Sequence, residues 1–144
     1  MSGADAVENI LWEAAMRIVK PESTTIHAAP VEGGPTVEVL IGEGPTEGGK
    51  LATARVTVPP GGGMPEHDHG ESEALVVVQS GRVVIREGGR EETLASGMMA
   101  SIAVGERVSL ENPSFSEPAS LLAFFAPPGF ARTFEAWPSG EQAP

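Results

Sequence analysis

Pro59-Pro60-Gly61-Gly62-Gly63-Met64-Pro65-Glu66-His67-Asp68-His69-Gly70-Glu71-Ser72-Glu73 leads into the apolar run Ala74-Leu75-Val76-Val77-Val78 and then Gly81. This stretch decides how the chain is read. It carries two of the three histidines, two residues apart. In extended backbone, side chains at i and i+2 project to the same face, so His67 and His69 are able to aim at one point. Glu73 shares their parity. Two imidazoles and a carboxylate hold a divalent metal on one side and leave the other side open.

Size and composition bound the surroundings of this stretch. At 144 residues the chain is one domain by length, with room for a real core. Nine basic residues stand against twenty acidic ones, for a formal charge of −11. That balance repels phosphate backbones and anionic lipid, so neither nucleic acid nor a membrane surface is expected as a partner. There is no cysteine, which excludes disulfides and thiolate chemistry and fits a reducing compartment. There is no tyrosine to serve as acid or base. Residues 1–8 show no basic region leading into an apolar one, and no uncharged stretch approaches membrane-spanning length. The expectation is a soluble, cytoplasmic protein.

Periodicity divides the chain. Val7, Ile10, Leu11, Ala14, Ala15 and Ile18 form one apolar stripe and predict a helix over 4–20, stopped by Pro21. After Pro21 the pattern changes to short strands: 24–27, 37–41, 51–58, 74–78, 82–87, 98–102, 107–111, 120–125 and 131–134. Many of these lie between turn signals such as Gly33-Gly34-Pro35, Gly88-Gly89 and Pro127-Pro128-Gly129. The fold class is all-β, a sandwich or closed barrel with one N-terminal helix. The expected organisation is a helical extension over 1–22, a barrel over 23–137 and a polar tail over 138–144.

From Leu51 to about Phe134 the chain resembles a small single-domain cupin of the RmlC-like type, a double-stranded β-helix or jelly-roll barrel. The first cupin motif runs glycine, five residues, His-x-His, three or four residues, glutamate, six residues, glycine. Gly61, His67, His69, Glu73 and Gly81 follow it, with seven residues before Gly81. That extra residue implies a bulge or a displaced glutamate. The second motif runs glycine, five residues, proline-x-glycine, two residues, histidine, three residues, asparagine. Gly97, Ala103, Gly105, Val108 and Asn112 stand at its spacings, so the motif proline is Ala103 and the motif histidine is Val108.

The resemblance implies that the usual ligand set of three histidines and one glutamate shrinks here to His67, His69 and Glu73. Such a centre suits iron, manganese, nickel or zinc. Within cupins these sites serve dioxygenases, isomerases and decarboxylases acting on a small organic molecule, and Glu73 is the best catalytic candidate. Gln79 and Val108 are expected to line the pocket. His27 is a surface or core residue, unless it supplies the missing third ligand. Met64, Met98 and Met99 are expected to fill the barrel. The alternative is a metal-free cupin that binds a small ligand or serves as a scaffold without turnover. In either case the edge strands and the helix stripe point to a homodimer.

Overall fold

The computed structural model describes residues 16, 18–20, 24–42 and 49–139. The helix expected over 4–20 falls almost wholly outside these residues, and 16 and 18–20 have no regular structure. The described chain forms ten strands: β1 (Ile26–Ala28), β2 (Thr36–Ile41), β3 (Ala52–Val58), β4 (Gly63–His67), β5 (Glu73–Ser80), β6 (Arg82–Glu87), β7 (Arg90–Ala95), β8 (Met99–Ile102), β9 (Val108–Glu111) and β10 (Ala119–Ala126). A 3-10 turn at Pro128–Phe130 runs into one short helix, α1 (Ala131–Glu135).

The strands form two antiparallel sheets, ordered β1-β2-β3-β10-β5-β8 and β4-β9-β6-β7. The chain changes sheet between β3 and β4, β4 and β5, β5 and β6, β7 and β8, β8 and β9, and β9 and β10, which is a jelly-roll path. Gly81 makes one of these crossings in the left-handed region, at φ 78°. A Cβ there would lie 2.7 Å from the Pro118 carbonyl oxygen, so only glycine passes without a shift.

The core sits between the sheets and is built by alternation. β3 and β10 each bury every second residue: Ala52, Ala54, Val56 and Val58 on one, Ala119, Leu121, Ala123 and Phe125 on the other. Their register sets large beside small, with Leu121 opposite Val56 and Phe125 opposite Ala52. On the other flank of β10, Phe125 pairs with Ala74 and Leu121 with Val78. Burying a side chain such as Leu121 contributes about 1.5–3 kcal/mol.

Three local expectations need correction. β4 is not among the strands expected from the sequence, although the reading of His67 and His69 assumes extended backbone there. It is an edge strand, where a proline is tolerated, and a Cβ on Gly63 would collide with the Leu110 carbonyl of β9. β7 was missed because Arg90-Glu91-Glu92-Thr93 is polar throughout. It is also an edge strand, with only Leu94 buried. Residues 131–134 were expected to be extended and instead form most of α1, with Ala131 and Phe134 buried at i, i+3 spacing. Among the described residues no helix is long and apolar enough to cross a membrane.

Candidate functional site

β4 delivers His67 at its end, and His69 follows two residues later. The chain then turns. Ser72 N donates to the His69 carbonyl at 3.0 Å, Gly70 takes φ 61°, and Gly70 N donates to Asp68 Oδ1 at 2.9 Å. Ser72 Oγ donates to the Pro127 carbonyl at 2.5 Å and ties the turn to the chain leaving β10. This turn resets the strand parity. In β5 the inward residues are Ala74, Val76 and Val78, while Glu73 is exposed.

The expected set of His67, His69 and Glu73 is therefore not assembled. Among the described residues no three His, Cys, Asp or Glu side chains gather as a metal requires. With four residues after His69 and six before Gly81, the inward Ala74 takes the motif glutamate's place. Gln79 is also exposed, and its Oε1 accepts from Ser120 Oγ at 3.4 Å rather than facing a pocket. Val108 is buried directly opposite His67 in the β4–β9 ladder, where the motif histidine belongs. It lines a neighbouring cleft of about 410 Å³, not the cavity that the histidines line. His27 lies on β1, and its Nδ1 donates to the Trp137 carbonyl at 3.0 Å, so it does not complete the set. Two imidazoles with valine and alanine at the other two positions do not fit a resident iron, manganese, nickel or zinc ion.

What the fold does gather is a cavity of about 280 Å³. Its apolar wall comes from alternate residues of several strands, among them Val37, Val56, Val76 and Leu121, and its aromatic wall from Phe125, Phe130, Phe134 and Trp137. The aromatic rings form a chain of contacts. His69 meets Phe130 with centroids 5.0 Å apart and Phe125 at 6.0 Å, Phe130 meets Phe134 at 5.3 Å, and Phe134 meets Trp137 at 5.1 Å. Such pairs contribute about 0.5–1.5 kcal/mol each beyond their burial. The sequence reading missed this wall. Its signal was the spacing of Phe130, Phe134 and Trp137 at i, i+4 and i+7, a helical stripe hidden by reading strand. Met64 lines the cavity as filling, whereas Met98 and Met99 are exposed.

The polar corner is His67-Asp68-His69. The two rings meet edge to face, 4.9 Å between centroids. His67 Nδ1 donates to the Pro65 carbonyl at 2.8 Å, and a carbonyl only accepts, so in the neutral ring the proton is on Nδ1 and Nε2 carries the lone pair. His69 is 6% exposed, and its buried Nδ1 has no hydrogen-bond partner. Burial first, and the neighbouring His67 second, push its imidazole down to about 4, against the pull of Asp68. It is neutral at pH 7. Asp68 is held by Arg107 Nη1 at 3.0 Å, and Arg107 also pairs with Glu66.

The cupin domain family profile matches residues 54–125. No curated protein matches the chain. Among solved structures it is similar to KdgF from Halomonas sp., at 12% identity and TM-score 0.65 over 78% of this chain and 94% of that one. It is also similar to the polyketide cyclase RemF from Streptomyces resistomycificus, at 22% identity and TM-score 0.65 over 77% and 79%. A predicted oxalate decarboxylase from Thermotoga maritima aligns at 20% identity and TM-score 0.60 over 76% and 98%. At these identities the likeness is one of fold.

Proposed function

This chain belongs to the cupin family, and we propose that it binds a small, neutral, mainly apolar organic molecule in the cavity beside His69, without a resident metal. The observation that carries this reading is the lining. Apolar and aromatic side chains surround one polar corner, and no lysine or arginine is among them. The one charged residue of the lining is Asp68, whose carboxylate Arg107 already pairs, so the lining offers an anionic ligand no cation of its own. A volume just below the range for drug-sized ligands favours a smaller molecule. A polyketide is a largely uncharged carbonyl compound, whereas oxalate is a dianion. The walls here suit the first kind of ligand.

Trp137 lines the cavity and reports its occupancy. With Trp12→Phe removing the other indole, titration with a neutral benzo-fused ketone such as 2-tetralone is expected to change Trp137 fluorescence saturably, and oxalate is expected to leave it unchanged. Protein purified without a tag or chelator is expected to carry far less than one equivalent of transition metal. A full equivalent that disappears in His67→Ala would overturn the metal-free reading. Silence of Trp137 to every neutral probe would overturn the binding reading.

A further inference from the structure

We infer that His67 and His69 act as a complementary acceptor–donor couple on a neutral carbonyl compound, drawing a proton from the carbon next to its carbonyl group. The inference rests on the cavity being the ligand site and adds a substrate class and a role for each ring. The hydrogen bond from His67 Nδ1 to the Pro65 carbonyl leaves Nε2 as the only basic nitrogen of that ring. His69 presents the opposite polarity. Its Nδ1 is buried without a partner, and an orphaned N–H is rarer in proteins than an unfilled acceptor. The proton therefore sits on Nε2, which makes His69 a donor. The rings lie 4.9 Å apart, so one small molecule reaches both.

The chemistry balances without an oxidant or a second substrate. The carbon–hydrogen bond α to the carbonyl breaks and its proton moves to His67 Nε2. The electron pair left on carbon delocalises onto the carbonyl oxygen, which His69 Nε2–H steadies by a hydrogen bond. The His67 imidazolium then returns a proton to the same carbon or to another carbon of the conjugated system. The first outcome is exchange and the second is isomerisation. The apolar wall of Phe125, Phe130 and Phe134 suits an uncharged ketone, and no lysine or arginine lines the cavity to hold an anionic one. His67 and His69 are the catalytic residues of this step.

The test is deuterium exchange at C1 of 2-tetralone in D2O with excess EDTA, followed by proton NMR, with Trp137 fluorescence reporting binding in the same samples. The intact chain is expected to exchange the ketone on the order of a hundredfold faster than His67→Gln, which keeps a polar side chain but has no base. His69→Gln places an amide N–H near the position of Nε2 and is expected to retain most of the rate. His69→Leu has no donor and is expected to lose it. Binding without faster exchange than His67→Gln would overturn the couple and leave the binding reading standing. Failure of 2-tetralone and other neutral ketones to bind would overturn both. Exchange abolished by EDTA would assign the step to a metal and overturn the couple.

Discussion

His67 and Val108 face each other across the β4–β9 ladder, one on each strand, with Val108 buried. Directly opposed residues place their β-carbons about 4.5–5.5 Å apart on one face of a sheet. A histidine at 108 would have its β-carbon beside that of His67, although Val108 itself lines the neighbouring cleft. Ala74, paired with Phe125 on the neighbouring sheet, marks the second vacated ligand position. Two side chains, valine at 108 and alanine at 74, therefore stand where ligands would be needed, and the Gly70 turn decides that Ala74 rather than Glu73 faces inward.

Restoring both should create a metal site. Val108→His with Ala74→Glu is expected to bind zinc or nickel at least ~100-fold tighter than the parent, since two ligands are added to two. The buried glutamate should lower the melting temperature of the metal-free double variant, and metal should recover it. Isothermal titration calorimetry and thermal melts measure both. No gain in affinity would mean that the motif positions are misassigned.

Glu73 offers a contrast to the histidines. It is exposed, so Glu73→Gln should leave ligand binding and stability within ~0.5 kcal/mol of the parent. Val76→Phe projects into the cavity and should weaken binding of a neutral ketone severalfold. Fluorescence titrations that show Glu73→Gln to be the more damaging change would place the carboxylate at the site after all.

His69 links stability to pH. Its folded value near 4 lies below the ordinary 6.5, so the unfolded chain takes up the proton first. The contribution is fully present above pH ~6.5 and is lost as pH falls towards 4, amounting to about 2 kcal/mol between pH 7 and pH 5. Urea unfolding of the parent and of His69→Phe at both pH values isolates it. The parent should lose that much more than the variant; parallel losses would show that His69 is not desolvated.

Asn112, 1% exposed at the end of β9, joins three segments. Its Nδ2 donates to the carbonyls of Val58 at 3.2 Å and Glu117 at 2.8 Å, and its Oδ1 accepts from Ser114 N at 3.0 Å. Asn112→Ala removes the partner of all three groups and should cost about 2–4 kcal/mol. Asn112→Asp loses both donors and buries a charge, and should cost more. Equilibrium denaturation decides, and a loss below about 1 kcal/mol for either variant would show that water replaces the amide.

Family and strand alternation are legible in the residues themselves. The two motif spacings are local facts of the chain, and period-two burial follows from the pleat of a strand. This is why β3, β5 and β10 were placed closely. The edge strands β4 and β7 were not legible, because their partners supply the order that their own composition lacks. The aromatic wall escaped because Phe130, Phe134 and Trp137 meet Phe125 and His69 only once α1 folds back under the sheet. The direction of Glu73 was decided by tertiary structure alone. The Gly70 turn, tied through Ser72 to Pro127 just past β10, shifts parity by one residue and sends Ala74 inward in its place. Spacing along a chain gives which residues are near one another in sequence; a turn held by a remote hydrogen bond decides which face each one takes.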